Sequence, residues 1–372
     1  MNKTLLLCSL IVSWPHTNLN AETLRVNRRD YEVTLSKAIS YLRVKGQAKD
    51  GSFSRFAGIG PTAMITTGLL RNGVRASDPL VAKSIRYLEK HVRKDGGIHQ
   101  NGTFFRNYET CLSLMCFAAA NKQLNGKYTK IIQRADKFIK GIQWAEDDGK
   151  TRSDVEYGGG GYGRSKRPDL SNTSFLIDAL KSAGNKSDSE AIKRALVFLS
   201  RCQNFESEHN TTKFAAKIND GGFFYTPAGG GSSPAGKTAD GGLRSYGAMT
   251  YAGLKSMLYA GVDKNDARVK AAVQWVKTHY QVKENPGLGQ AGVYYYLHVF
   301  AKALDALKTE TIVDKKGVSH SWRSELLKEL KRRQKPDGSW ANKNKRWLES
   351  DPNLATGFAL LALSYCKPKP SN

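Results

Sequence analysis

The stretch Gln334-Lys335-Pro336-Asp337-Gly338-Ser339-Trp340 decides the fold of this chain. It sets a glutamine, a glycine turn and an aromatic side chain in that order, directly after a helical pattern that ends near Leu330. The stretch from Gln47 to Phe53 repeats this order with phenylalanine in place of tryptophan. Similar pairs of an aromatic and an aliphatic residue, each followed by a turn, recur at Tyr87-Leu88, Phe138-Ile139, Phe198-Leu199 and Trp275-Val276. Such internal self-similarity is typical of repeat architectures.

A second helical stretch of small and apolar residues follows each of the six turns. Its apolar positions recur at intervals of three and four, as in Leu112, Met115, Cys116 and Ala119, which predicts a helix with one buried face. The six stretches cover residues 61–72, 108–120, 172–183, 246–260, 293–307 and 353–365. The sequence therefore predicts six helix pairs, with a small hairpin over residues 311–320 as the likeliest sheet.

The number of pairs indicates how they are arranged. One helix pair cannot bury its apolar face alone, so neighbouring pairs must stack. An open stack would need polar caps, yet the last helix reads Phe358-Ala359-Leu360-Leu361-Ala362-Leu363. We therefore expect an all-α, α/α toroid: one domain over residues 22–372, closed as a ring with the small-residue helices inside.

The repeat resembles the Q-x-x-x-G-x-W motif of squalene and oxidosqualene cyclases, at Gln334 to Trp340 and, less fully, at Gln47 to Phe53. The resemblance spans roughly residues 30–366 and implies the terpenoid-cyclase and protein-prenyltransferase superfamily. More narrowly, the chain resembles exported bacterial prenyltransferase/squalene-oxidase repeat proteins. The motif ties a turn to adjoining helices, so it implies a fold and leaves the chemistry open.

The first residues read as a signal peptide. Asn2 and Lys3 precede an apolar run from Leu5 to Trp14, and Ala21 offers a small residue for cleavage. That run is about ten residues long, whereas a transmembrane helix needs about 20. We expect loss of Met1 to Ala21, export to the periplasm or the medium, and no integral membrane segment.

The charge is strongly basic, with 58 Lys and Arg against 33 Asp and Glu, a net charge of +25. Long-range attraction to anionic cell-envelope surfaces or anionic polysaccharides follows, with a solvated basic exterior as the simpler interpretation. Export and the lack of any nucleic-acid-binding signature argue against nucleic acid as a partner.

The superfamily's known catalytic motifs are missing. A D-x-D-D cluster would stand where the sequence reads Gly60-Pro61, and Asp147-Asp148 lacks the third aspartate of D-D-x-x-D spacing. The stretch from Glu349 to Thr356 has no cysteine or histidine to bind the zinc of prenyltransferases. We expect no metal and no cofactor. The scattered cysteines at positions 111, 116, 202 and 366 are expected to be buried apolar residues.

One helix gathers candidate catalytic residues. His298 follows Tyr294 by four residues and Tyr295 by three, and Lys302 follows His298 by four. On a helix these side chains share one side, so hydroxyl, imidazole and ammonium groups would face a common space. A packing face with a core histidine is the alternative. Candidate substrate-binding residues, from this helix and the starts of other inner helices, are Lys302, Asp351, Asn353, Tyr246 and Glu109.

Three function classes remain open, and whether the protein is an enzyme stays undecided. The first is binding or conversion of a small apolar ligand inside the ring, and an apolar, aromatic cavity would favour it. The second is a polysaccharide lyase acting on an anionic saccharide, which a long groove of Arg and Lys would favour. The third is a non-catalytic envelope scaffold, which a filled centre would favour. In each case the segments 144–170 and 205–244 are expected to shape the binding surface.

Overall fold

The computed structural model describes residues 26–163 and 167–369. The predicted signal peptide, Met1 to Ala21, lies outside the described residues. In chain order the helices are α1 (Arg28–Tyr41), α2 (Gly60–Arg71), α3 (Pro79–Glu89), α4 (Arg106–Asn121), α5 (Thr129–Gly141), α6 (Leu170–Ser182), α7 (Glu190–Arg201), α8 (Ala215–Ile218), α9 (Gly247–Tyr259), α10 (Ala267–Thr278), α11 (Val293–Ala306), α12 (Trp322–Arg333) and α13 (Pro352–Leu363).

Shorter elements complete the chain. A π-helical turn at Leu42–Gly46 extends α1, and single 3₁₀ turns occur at Arg55–Ala57, Glu146–Asp148, Arg346–Leu348 and Ser364–Cys366. The strands β1 (Ile312–Val313) and β2 (Ser319–His320) pair antiparallel, with Ile312 opposite His320. This is the small hairpin that the sequence predicted, in an otherwise helical protein.

The ring closes through six inner helices. Each of α2, α4, α6, α9, α11 and α13 packs against the inner helix before and after it, and α13 packs back against α2. Eleven of the twelve residues of α2 are buried, against four of the fourteen in the outer helix α1. The expected toroid, with small-residue helices inside and charged helices outside, is therefore confirmed.

Motif glutamines fasten four of the six turns to an outer helix. Gln334 Nε2 donates to the Thr34 carbonyl of α1 at 2.9 Å and to the Gly338 carbonyl at 2.9 Å, which links the last pair to the first. Gln47, Gln143 and Gln203 bond in the same way to carbonyls at the starts of α3, α7 and α10. Gly338 has φ +91°, and a Cβ there would lie 2.2 Å from a backbone oxygen of α1, so only glycine fits the turn.

In five of the six pairs, a threonine in the first turns of the inner helix accepts a hydrogen bond from a backbone N–H of the motif turn. The backbone N–H of Trp340 donates to Thr356 Oγ1 of α13 at 3.1 Å, and Trp340 itself is fully buried. The same bond recurs from turn to inner helix at Phe53 to Thr62, Ile98 to Thr110, Gly160 to Thr173 and Phe223 to Thr250. These bonds set the starts of the inner helices, and those starts form the cavity described next.

Candidate functional site

A cavity of about 830 Å³ opens at the end of the ring where all six inner helices begin. One residue from the first turn of each inner helix lines it: Pro61, Tyr108, Ser171, Ala248, Tyr295 and Leu354. The six inner helices must therefore point the same way.

Loops at this end of the ring form the cavity wall above the starts of the helices. Three of them are residues 56–58, 100–105 and 346–349. The two long segments expected to shape the binding surface also contribute, Tyr162 from 144–170 and Tyr225, Ser232 and Pro234 from 205–244. The sequence predicted these two segments but did not single out the tyrosines in them.

Aromatic side chains dominate the lining. They are eleven of its 29 residues, whereas aromatic residues make up 10% of the whole chain. Near the centre the rings touch in series: Tyr108 lies 5.5 Å from Phe175, Phe175 lies 6.1 Å from Tyr295, and Tyr295 lies 5.6 Å from Phe358, as ring centroids. These four rings, which we call the aromatic floor, line the inner part of the cavity.

Large apolar side chains also surround the mouth. Phe56 is 73% exposed, Phe104 66% and Trp347 46%, and Phe105 and Leu348 are exposed beside them. All five line the cavity. Exposed apolar residues gathered in one place, in contrast to scattered single residues, mark interaction sites. We call these five residues the rim.

Only two charged residues line the cavity within the described parts of the chain, Arg346 and Glu349. Glu349 is fully buried and engaged: Oε1 accepts the Tyr295 N–H at the start of α11 at 2.8 Å, and Oε2 accepts from Asn342 Nδ2 at 2.9 Å. Burial raises the pKa of Glu349. It therefore acts as a brace that fixes the 342–349 loop to the inner helix.

Arg346 stands at the tip of that loop. Its guanidinium lies 4.4 Å from the centre of the Trp347 ring. Trp347 and Leu348 both have left-handed backbone, with φ of +54° and +62°. Such conformations cost about 1–3 kcal/mol each and occur where the surroundings hold them in place. The loop thus presents an arginine and an exposed indole in a fixed, strained arrangement at the rim.

A buried carboxylate lies behind the wall at the start of α6. Asp169 Oδ1 accepts the Asn172 N–H at 2.9 Å, and burial raises the pKa of Asp169 to about 6. The Tyr225 hydroxyl, on the cavity side, is hydrogen-bonded to this carboxylate. With its proton donated to Asp169, the Tyr225 oxygen offers an acceptor to a ligand.

The structure does not bring the predicted catalytic residues together. Tyr295 lines the cavity, but Tyr294 is turned away: its hydroxyl lies 3.5 Å from the Ala341 carbonyl, and Arg333 lies 6.0 Å from its ring centre. His298 is 3% exposed and stacks on the cavity-lining ring of Phe358 at 6.3 Å. The shared open space expected for the three side chains is absent, although no observation tests a catalytic role.

Among the predicted binding residues, Tyr246 lines the cavity and the other four do not. Asp351 caps α13, accepting from the Leu354 N–H at 2.8 Å, and Asn353 bonds the Tyr41 hydroxyl at 3.1 Å. Glu109 accepts backbone N–H groups from two loops, at Ile59 and Gln100. Helix starts attract carboxylates because their N–H groups lack partners, so these residues are engaged in holding the wall.

Lys302 lies deeper, in a buried ion cluster outside the large cavity. Its Nζ is 2.6 Å from Asp178 Oδ2, and Lys255 Nζ is 2.7 Å from Asp178 Oδ1. All three side chains are at most 5% exposed. Lys302 therefore cannot bind a ligand in the open cavity without leaving Asp178.

Residues 26–163 and 167–369 contain no group of three His, Cys, Asp or Glu side chains placed to hold a metal ion. No helix in the same ranges is long and apolar enough to cross a membrane.

Comparisons with known proteins agree with the fold. A family model for the squalene-hopene cyclase C-terminal domain matches residues 62–226. A possible GH105 family member from Salmonella enterica serovar Paratyphi A is similar in structure, with TM-score 0.54 and 11% identity over 96% of this chain and 97% of that one. A polysaccharide lyase has TM-score 0.51 and 11% identity over 90% and 96% of the two chains. A family 76 glycoside hydrolase from a bovine Bacteroides thetaiotaomicron strain has TM-score 0.51 and 11% identity over 90% and 77%.

A comparison with curated protein sequences found no match. At 11% identity the similar structures demonstrate a shared fold and nothing finer. The match to the family model over residues 62–226 and the closed ring of helix pairs show that the chain has a terpenoid-cyclase-like α/α-toroid fold.

Proposed function

We propose that this protein binds a small ligand with a large apolar surface in the cavity at the starts of its inner helices. The observation that carries the proposal is the aromatic lining of a space of about 830 Å³ with only two charged residues in its described wall. Ligand pockets typically enclose about 300–1,000 Å³ and are mostly apolar with a few polar groups. An open cavity also argues against a scaffold with a filled centre.

The rim supports an apolar ligand as well. Phe56 and Phe104 expose most of their surface to solvent, which a soluble protein tolerates at an interaction site. A ligand entering past these rings would keep apolar contact from the mouth to the aromatic floor. The lining also includes polar groups, among them the Tyr225 hydroxyl and Arg346, so one oxygen-bearing end of the ligand would find partners.

Binding can be measured by native mass spectrometry and by quenching of intrinsic fluorescence. The panel would contain C15 and C20 isoprenoid alcohols, a fatty acid and an oligogalacturonide. We expect the apolar compounds to bind, and Tyr295→Ala to weaken them about tenfold because it removes a ring of the aromatic floor. Tyr294→Ala is the matched control, since its ring is buried outside the cavity. Equal losses for the two variants, or no binding of any apolar compound, would contradict the proposal.

The second candidate function is that of a lyase that cleaves an anionic polysaccharide. Three similar structures are named as saccharide-acting proteins, and the exposed Trp347 with Arg346 would suit a sugar ring that carries a carboxylate. A lyase also needs a base to remove a proton. Burial raises the pKa of Tyr295, which opposes that role, so we place this candidate second.

The lyase reaction is measured by the ultraviolet absorbance of its unsaturated product on pectate, alginate and hyaluronan. If the candidate is right, Arg346→Gln should lower the rate at least about tenfold, the effect of losing a charge contact to the substrate. Lys343→Gln, an exposed residue of the same loop, should leave it unchanged. No product from any uronate polymer would remove this candidate.

We also propose that the protein is exported after cleavage near Ala21 and that its basic exterior meets anionic envelope surfaces. The apolar run from Leu5 to Trp14 and the net charge of +25 support this. N-terminal sequencing of protein from the native cells tests it, and an intact Met1 in the cytoplasm would contradict it.

A further inference from the structure

A second, internal cavity lies beneath the aromatic floor. Its volume is about 10 Å³, room for about one water-sized particle. Phe175 lines both this cavity and the large one, so its ring lies between them. The polar residues that line the internal cavity are Thr67, Arg71, Asp178, His298 and Lys302.

The charges around the internal cavity do not balance. Asp178 is the one carboxylate lining it, and both of its oxygens already contact lysines, Lys255 at 2.7 Å and Lys302 at 2.6 Å. Arg71, which is only partly buried, adds a third cation, and its guanidinium donates to the Tyr365 hydroxyl at 3.4 Å. Within the described residues the cluster thus has three cations and one anion. An excess of buried positive charge is costly unless an anion compensates it.

An imidazole nitrogen without a partner belongs to a residue of the same lining, His298. His298 is 3% exposed, and no described residue forms a hydrogen bond with its Nδ1. Burial lowers the pKa of His298 most, and the charge of Lys302 lowers it further. The pKa lies well below its usual value, so the imidazole is neutral. A neutral imidazole carries one N–H, and with that proton on Nδ1 it would donate toward the cavity that His298 lines.

We propose that the internal cavity is a binding site for one small monovalent anion of the size of chloride, held by Lys302, Arg71 and His298. The ammonium and guanidinium groups supply the charge, and the imidazole supplies a hydrogen-bond donor. Sulfate and phosphate are too large for this space. Met64 and Met115 also line it, and their flexible side chains can adjust to an ion slightly wider than water. The site is independent of the ligand proposed for the large cavity.

Thermal unfolding in chloride, bromide or gluconate at one ionic strength tests the proposal. A ligand of the folded state raises the melting temperature with saturation, so halides should add about 2–4 °C over gluconate, which is too large to enter. Lys302→Met should abolish this increment. Lys328→Met, at an exposed position of α12, should retain it. A halide increment that is the same in wild type and Lys302→Met would overturn the proposal.

A second measurement does not depend on a variant folding. Crystals of the wild-type protein soaked in bromide should show an anomalous scattering peak between Lys302, Arg71 and His298. Density at that place without anomalous signal would identify a water molecule and would also overturn the proposal.

Discussion

Replacing Asp178 with asparagine removes the one negative charge from the ion cluster and keeps the shape of the side chain. Lys255 and Lys302, at 2.7 and 2.6 Å from its oxygens, would then be buried with no carboxylate partner. Removing one partner of a buried ion pair costs about 3–5 kcal/mol, because the other charge stays buried. We expect a loss of this size in the free energy of unfolding at pH 7.

The pKa of Asp178 supports that magnitude. Burial opposes its ionisation, but Lys255 and Lys302 outweigh burial and lower the pKa from 3.8 to about 2. At about 1.4 kcal/mol per pKa unit, the charged form is favoured by about 2–3 kcal/mol in the folded protein. The remainder of the expected loss comes from the two lysines, since burial lowers the pKa of Lys302 to about 7 even with Asp178 in place.

The loss should depend on pH in a defined direction. In the wild type, Lys302 is charged in both the folded and the unfolded chain below pH 7, so the full cost of burying its charge is present there. Between pH 7 and its unfolded value of 10.5 the unfolded chain binds more protons, so stability rises with pH. In Asp178→Asn the pKa of Lys302 falls below about 7, so the stability of the variant starts to rise at a lower pH than that of the wild type. The difference between the two free energies of unfolding should therefore narrow as the pH rises to about 7. The groups facing the cluster are Arg71, Asp178, Lys255, Tyr259, His298 and Lys302.

Urea unfolding followed by tryptophan fluorescence at pH 6, 7.5 and 9 measures these differences. Asp305→Asn is the control, because Asp305 pairs with Arg323 at a similar distance, 2.6 Å, but is 44% exposed. Exposed pairs contribute about 0–1 kcal/mol. A loss below about 1 kcal/mol for Asp178→Asn, or one that does not change with pH, would refute the reasoning about the cluster.

Three further changes test the turns and the rim. Gly338→Ala should lower the free energy of unfolding by more than about 3 kcal/mol, because its Cβ would lie 2.2 Å from a backbone oxygen. Gly317 is also left-handed but lies in open space, so Gly317→Ala should lower it by about 1–2 kcal/mol. Urea unfolding compares the two variants. Thr356→Val removes the acceptor of a buried turn N–H and should lower the free energy of unfolding by about 1–3 kcal/mol in the same assay. Trp347→Gly should raise the melting temperature, because glycine adopts a φ of +54° without strain. The same change should lower ligand affinity in fluorescence titration. A lower melting temperature would show that the packing of the indole outweighs the strain.

The ring was predictable because its signals are local. Gln334 and Gly338 stand four residues apart, and the bond between them fixes a turn whatever lies elsewhere in the chain. The threonines that accept the N–H of a turn were not predicted, because this pairing is not local in the sequence. The distance from the threonine to the bonded turn residue varies, from nine residues at Phe53 and Thr62 to 27 at Phe223 and Thr250, since loops of different length intervene.

The candidate site was predictable only in part, because helical spacing gives direction without depth. Tyr295 and His298 lie three residues apart on nearly the same side of α11, but about 4.5 Å apart along its axis. Tyr295 is part of the aromatic floor and lines the large cavity, whereas His298 lies beneath the floor and does not. The rim draws on three loops that are distant in sequence, and no local pattern indicates that they meet.

Closure of α13 onto α2 has a consequence for the timing of synthesis. Their starts, at residues 352 and 60, are 292 positions apart in the chain. At about 5–20 residues per second, a ribosome needs about 15–60 s to travel between them. Throughout that interval the face of α2 that α13 will cover has no partner, and no newly made pair can supply one. A chain of this kind must therefore be protected until its last helix emerges, whereas an open solenoid can cover each repeat with the next one made.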